Sequence, residues 1–389
     1  KGFAVSVFLL ASKEGVKGDA AANLKLFETL CGHSDTGSLT EIRSQEEFDN
    51  LKLKILHHDL FIDALLGTGL NAEVRGIMKS AIDLLNASAK PVFSVDIPSG
   101  LSADTGLALG SAVKAFATAT FAFAKIGHIL YPGNSLTGEL EIIDIGIPKY
   151  IADAGGVSLS LIEKDDIAAL FPPRAFDTHK GHLGHLLVIA GSSGKTGAAA
   201  LCANAAMRSG TGLVTVGVPE SLNSVMEGLV LEAMTYPLPE EEKGALTQSC
   251  FKDIQELLKE KQALALGPGL GTHPGTSRLV EDIVSNCEIP LIIDADGLNH
   301  IATNPDILKQ KNSSVILTPH PGEMARLCGL STKEIQADRI GTAKQFAAQF
   351  KVILILKGAG TIIALPDGST YICPTGNAGM ASGGMGDVL

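Results

Sequence analysis

Two apolar runs in the first third of the chain end in an acid followed by a glycine turn. Phe61-Ile62-Asp63 leads to Gly67-Thr68-Gly69, and Val92 to Asp96 leads to Pro98-Ser99-Gly100. A carboxylate and a hydroxyl beside exposed turn carbonyls supply hard oxygen donors for a cation, and glycine turns let a phosphate approach backbone amides. The same residues serve equally well as plain turn caps, and the pattern alone leaves both readings open.

The second half carries a denser set. GSSGKTGA, from Gly191, looks like a P-loop, but GxxxxGK[ST] would need glycine at position 189, where Ile189 sits. A glycine turn entering a helix still offers an anion site, or simply tight strand-helix packing. KGAGT, from Lys357 to Thr361, adds a cation and more turn amides, and TPHPGE adds His320 and Glu323. GNAGMASGGMGDVL brings glycines to a helix start beside Asp387, where clustered amides can neutralise phosphoryl charge and an acid can act as base toward a hydroxyl. Taken singly, Asp387 also reads as an ordinary helix cap. His179, His182 and His185 look like a metal cluster, but glycines between them and a strand starting at His185 argue for exposed loop histidines.

These residues need elements to hold them, and the chain alternates strand and helix throughout. FAVSVFLLA reads as a buried strand, followed by a helix near Asp19 to Leu30 and a second opened by a Ser44/Glu47 capping box. Ile77, Met78, Ala81, Ile82 and Leu85 share a helix face, and strands are expected near Ala115–Phe123 and Glu141–Ile147. Such βαβ alternation predicts a mainly parallel sheet with helices on both faces. A second series starts near Gly184, with strands at HLLVIAG, LVTVGVP, ALALGPGLG, PLIIDADG, SVILTPHPGE and KVILILKG. Ser331 and Glu334 cap the helix before KVILILKG, and a hairpin turns at Pro366-Asp367-Gly368. The boundary falls between about Lys149 and Lys180, which predicts two α/β domains, 1–150 and 151–389. In open α/β sheets ligands bind beyond the carboxyl ends of strands, and the acids and glycines above all stand there.

Composition narrows the function. The 389 residues suit two or three domains at ~150 residues each, and 45% apolar content excludes extensive disorder. A net charge of −11 argues against a general nucleic-acid binder. No apolar run is long enough to span a bilayer. Six scattered cysteines without a CxxC pair point to a reduced, cytoplasmic protein. The chain opens on Lys1 mid-domain and reads as a fragment.

The motif set resembles a known family. Residues 184–389 resemble the ADP/ATP-dependent NAD(P)H-hydrate dehydratases, a ribokinase-like fold, through HLLVIAGSSGKTGAA, LGPGLG, DADGLN, LTPHPGE, LKGAGT and PTGNAGMASGGMGD. Residues 1–150 resemble the Rossmann-like NAD(P)H-hydrate epimerases through FIDALLGTGL and VDIPSGL. The order is that of the bifunctional repair enzymes. The family's Asn-Gly-Gly-Asp loop would precede Lys1, and further adenine-pocket residues would follow Leu389, so parts of both domains are expected outside this stretch.

The resemblance implies potassium on Asp63 and Ser99. It places the hydrated nucleotide against Gly67, Thr68, Gly69, Leu70, Asn71, Ala72, Glu73 and Asp96. In the second domain it implies hydrate contacts at Ala198, Gly269 and His320, nucleotide contacts at Lys357, Gly358, Ala359, Gly360, Thr361 and Gly386, and Asp387 at the reacting hydrate. ADP or ATP would be the co-substrate, with Mg2+, and the fusion order inclines to ADP. The substrates would be NADHX and NADPHX, with no nucleic-acid or membrane partner and a homo-oligomeric assembly. A vitamin-precursor kinase of the same fold accounts for the tail but not for the first domain. A non-catalytic nucleotide-binding protein fits poorly with acids at three sheet ends.

Overall fold

The computed structural model describes residues 3–33 and 36–389. The chain divides into two compact units, Lys1–Ala152 and Asp153–Leu389.

In the first unit β1 (Val5–Leu9) and β2 (Gly37–Glu41) pair in parallel. β3 (Phe61–Asp63), β4 (Val92–Val95), β5 (Ala117–Phe121) and β6 (Glu139–Ile143) form a parallel sheet in that order. The helix Gln45–Leu56 buries Phe48 and Ile55, and the helix Gly76–Ala87 buries Ala81 and Ile82. Both pack with Phe61, Val92 and Val113 in one cluster. Helix cover on both sheet faces is not what forms. Alternate side chains of β3 and β4 point away from the cluster, and Ile62, Phe93 and Val95 are exposed among the described residues. β1 is likewise half-exposed rather than buried, because its pairing partner is β2 and not the larger sheet. The Ser44 hydroxyl accepts from the Glu47 amide as anticipated, but the Glu47 carboxylate accepts from the Arg43 amide, one residue earlier than a reciprocal box requires.

The second unit comprises β7 (Leu159–Leu161), β8 (His185–Ile189), β9 (Leu213–Pro219), β10 (Met234–Leu238), β11 (Ala263–Leu266), β12 (Leu291–Ile293), β13 (Val315–Leu317), β14 (Ile353–Leu356), β15 (Thr361–Ala364) and β16 (Thr370–Cys373). They form one sheet in the order β10-β9-β8-β11-β12-β13-β14-β15-β16-β7. From β10 to β14 all pairs are parallel, and β15 then runs antiparallel to both neighbours. The parallel strands are near-continuous apolar runs, as burial on both faces demands. One large core gathers Leu187, Leu264, Leu291 and Leu354, and a second packs Val188 and Val216 against Ala199 and Ala203.

Two strands of this sheet are illegible in the sequence. MTYPL of β10 contains a proline that an edge position tolerates. LSL of β7 lies in the boundary stretch and pairs in parallel with β16. The Ser331/Glu334 box does form, but it caps a short helix, Thr332–Ala337; the helix that precedes β14, Arg339–Phe350, is capped separately by Asp338. The hairpin at 366–368 forms as expected, with Asp367 accepting from the Ser369 amide. All six cysteines are free thiols, and among the described residues no helix is long and apolar enough to cross a membrane.

Candidate active sites

At the carboxyl ends of β3 and β4 the acid Asp63 is buried. Its Oδ1 accepts from the Ser99 hydroxyl at 2.5 Å, and its Oδ2 accepts from the Ser94 hydroxyl and the Ser99 amide, both at 2.8 Å. The Ser99 hydroxyl in turn accepts from the Leu66 amide, which ties the start of the glycine turn to the same point. Asp63 and Ser99 are therefore brought together, with no cationic side chain in ion-pair contact with Asp63 among the described residues. Gly67, Thr68, Gly69, Asn71, Ala72 and Glu73 are exposed and Leu70 is half-buried beside them, so the turn lines the mouth of this edge. A Cβ on Gly67 or Gly69 would meet no protein atom.

Asp96 sits on the same sheet edge at a left-handed φ of 67°, a conformation costly for a residue with a side chain. Its Oδ1 accepts from Lys125 Nζ at 2.5 Å and from the Thr120 hydroxyl at 3.1 Å. Burial pushes this carboxyl upward, but Lys125, the Phe121 amide and Thr120 outweigh it and hold the group below its ordinary value. Lys125 Nζ also donates to Thr120 Oγ1 and the Phe121 carbonyl. Behind it His128 is buried, and burial together with Lys125 lowers its imidazole to about 4. Lys125, Thr120 and His128 escaped the sequence reading; the lysine two residues after FAF was the available signal.

In the second unit, the turns after β8, β11, β12, β13 and β14 stand on five neighbouring strands. Lys357 Nζ donates to Asp294 Oδ1 at 2.7 Å and lies 3.9 Å from Glu323 Oε2. Lys195 Nζ donates to Asp296 Oδ2 at 2.8 Å, the oxygen that also accepts from the Gly271 amide at 2.9 Å. Burial raises the Asp296 carboxyl, yet Lys195, Gly271 and Asn299 together hold it low. The lysine of GSSGKTGA thus spends its charge on a neighbouring acid.

His320 caps the helix Pro321–Cys328: Nδ1 accepts from the Gly322 and Glu323 amides, while the Glu323 carboxylate accepts from the His320 amide. Burial pushes the Glu323 carboxyl up. Gly269 and Ala198 are adjacent. A Cβ on Gly269 would fall 2.7 Å from the Lys195 carbonyl and 3.1 Å from Ala198 Cβ, at a φ of 64°. Glycine is required there.

The helix Met385–Val388 carries Gly386 and Asp387, and its cap is Gly384, so Asp387 is not itself the cap. A Cβ on Gly386 would lie 3.5 Å from Lys357 Nζ and 3.8 Å from Asp294 Oδ2, which joins the tail to the KGAGT turn. The half-buried Asp387 carboxyl is raised, by burial first and then by Asp294 and Asp296, with Lys357 opposing. A carboxylate so tuned is a better base than a solvated one. Asp294 and Asp296 are site residues whose roles the DADGLN motif contained without assigning. His179 and His182 are exposed, with ring centroids 3.5 Å apart, but His185 is not an exposed loop histidine: it is half-buried in β8 and contacts Thr215.

A parallel sheet with glycine turns along one carboxyl edge, extended by an antiparallel hairpin, defines a ribokinase-like enzyme domain, here preceded by a Rossmann-like unit. Residues 186–389 match the family described as NAD(P)H-hydrate dehydratase, and residues 1–127 that described as YjeF-related protein N-terminus. The bifunctional NAD(P)H-hydrate repair enzyme of Moorella thermoacetica is 40% identical over 389 residues, which is 100% of this chain and 72% of that protein. Its counterpart in Thermofilum pendens is 37% identical over 385 residues, 99% of this chain and 72% of the relative. Among solved structures, the ADP/ATP-dependent NAD(P)H-hydrate dehydratase of Bacillus subtilis, co-crystallised with ATP/Mg2+, is 31% identical with a TM-score of 0.50. The likeness covers 60% of this chain and 79% of that one. The chain belongs to the bifunctional NAD(P)H-hydrate repair enzyme family.

Proposed function

We propose that this chain repairs hydrated nicotinamide nucleotides in the cytoplasm: residues 1–150 epimerise R- and S-NAD(P)HX, and residues 151–389 dehydrate the S form at the expense of ADP or ATP. The observation that carries the reading is the convergence of Lys357, Asp294 and Gly386 at one sheet edge, with Asp387 next to Gly386 in the same short helix. Hydroxide is a poor leaving group, so a phosphoryl group must first reach the C6 oxygen of the hydrate. Asp387 takes the hydroxyl proton as that oxygen attacks the terminal phosphorus, and the bond from that phosphorus to the bridging oxygen breaks, releasing AMP from ADP or ADP from ATP. The Gly358, Ala359, Gly360 and Thr361 turn and Gly386 hold the transferring charge, and Lys357 balances it. Phosphate then leaves C6 with its bonding pair, the ring nitrogen supplies electrons, and loss of a C5 proton restores the dihydronicotinamide. Ala198, Gly269 and His320 line the hydrate side.

Mg2+ fits as a companion of the nucleotide phosphates rather than as an ion in a protein cage. Asp294 and Asp296 are paired with lysines, and no group of three or more His, Cys, Asp or Glu among the described residues converges on a metal. When bound it would screen phosphate charge. In the first unit, Asp63 and Ser99 fit potassium: a buried carboxylate held by hydroxyls and an amide, without a cationic partner among the described residues, is a site that a monovalent cation would neutralise. Asp96 and Gly67 to Glu73 hold the hydrate there. A homo-oligomer is proposed on family resemblance alone.

The decisive experiment supplies S-NADHX with ADP or ATP and follows dihydronicotinamide absorbance. Regained NADH is the expected result; a stable phosphorylated product would instead select a small-molecule kinase.

A further inference from the structure

Arg339 opens the helix Arg339–Phe350, yet its guanidinium reaches beneath the glycine turn that follows β14. Nη1 donates to the Ala359 carbonyl at 2.7 Å, and Nη2 donates to the Leu356 carbonyl at 3.3 Å and lies 3.5 Å from the Lys357 carbonyl. The side chain is half-buried, its Nε has no hydrogen-bond partner, and no carboxylate forms an ion pair with it among the described residues. A partly desolvated cation without an acid is costly unless another negative group completes it.

The geometry also fixes the turn. A trans peptide directs its carbonyl and its amide to opposite sides. Drawing the Lys357 and Ala359 carbonyls toward the guanidinium therefore turns the Gly358 and Gly360 amides the other way, the orientation in which turn amides can meet an anion. Gly358 is part of the device: at its φ of 153° a Cβ would stand 2.6 Å from Arg339 Nη2.

We propose that Arg339 is a positioning residue for nucleotide-dependent dehydration, ordering the Lys357–Thr361 turn from behind and lending its charge to the binding of a nucleoside di- or triphosphate. This rests on the reading of that turn as the nucleotide site. Arg339→Met, Arg339→Lys and Gly358→Ala in the full chain test it, by calorimetric titration with ATP and with ADP. KM is measured for nucleotide and for S-NADHX, with epimerase activity and thermal unfolding as controls.

Arg339→Met weakens nucleotide affinity roughly tenfold to a hundredfold, the range of a lost charge-assisted hydrogen bond. KM for the hydrate and the epimerase rate stay at wild-type values. Arg339→Lys restores part of the loss, because an ammonium keeps the charge but not the planar fork. Gly358→Ala displaces the guanidinium and reproduces the nucleotide defect. Unchanged nucleotide affinity in Arg339→Met overturns the proposal, as does an equal loss of nucleotide and hydrate affinity, which marks a general scaffold role. Failure of the underlying reading looks different: wild-type protein then binds neither ATP nor ADP, and the proposal falls with it.

Discussion

Asp63 in the first unit and Asp294 in the second both stand at strand carboxyl ends, but they are satisfied differently. Asp63 is buried against two serine hydroxyls and an amide, all neutral donors. Asp294 holds the Lys357 ammonium, and its neighbour Asp296 holds Lys195. A cradle of neutral donors holds the carboxylate without a cationic side chain in ion-pair contact among the described residues, which is the arrangement the proposed potassium site needs. Paired lysines instead keep positive charge beside the proposed phosphate site, with an acid compensating each cation. The contrast matches the two reactions. Inverting a hydroxyl-bearing carbon moves no phosphoryl group, whereas eliminating that hydroxyl needs one.

The comparison is broken most directly at Asp387. Asp387→Asn cuts dehydration by at least ~10²-fold, the usual share of a general base, and leaves epimerisation and nucleotide binding intact. Near-wild-type turnover by absorbance assay would sink the assignment. The pH profile sharpens the point. Burial, Asp294 and Asp296 disfavour the charged form of Asp387, so its proton is retained to higher pH than in an ordinary carboxyl. The base is active only when ionised. Dehydration in the wild type therefore rises with pH through a limb above the usual carboxylate range, and Asp387→Asn loses that limb.

Asp63→Ala strikes the other unit. Removing even an outer partner of a metal ligand costs about 10–100-fold in metal affinity, so on the proposed potassium site the substitution, made in the full-length protein, weakens potassium dependence of epimerisation at least about tenfold. Dehydration of pure S-hydrate is unaffected; an equal fall in both activities would point to misfolding instead.

Within the second unit, Gly386→Val sets a branched side chain against Lys357 Nζ and weakens ADP or ATP binding about tenfold, a change of ~1.4 kcal/mol. His320→Ala raises the requirement for NADHX by a similar factor and spares nucleotide affinity. Separate titrations with each ligand check the pair, and the reverse pattern would exchange the two subsites. The smallest effect is expected at Ser331→Ala, which removes one cap of the helix Thr332–Ala337 and costs about 1 kcal/mol in thermal unfolding, with both activities unchanged.

Local chemistry was legible. Acid-then-glycine runs marked strand ends, the tail glycines marked a helix start, and the Ser331 box formed where the spacing placed it, because each is decided by a few neighbouring residues. What tertiary structure alone decided is partnership across long separations. Nothing in KGAGT announces Arg339 behind it, and nothing in FAFAK says that Lys125 will close on Asp96, since hydrogen bonds between distant segments leave no periodic trace in either one. Sheet faces behave the same way. The alternation in β3 and β4 determined which side chains point together, but whether a helix covers Ile62, Phe93 and Val95 depends on where the helices pack. Both Gln45–Leu56 and Gly76–Ala87 join the opposite face. Most strand and turn identity belonged to the sequence, being set by backbone sterics and side-chain pattern; β7 and β10 did not, since an LSL run and a proline-bearing edge strand carry no such pattern. The Lys357–Asp294 and Lys195–Asp296 pairs, and the Arg339 bonds to the 357–361 turn, exist only once the fold has brought their strand ends side by side.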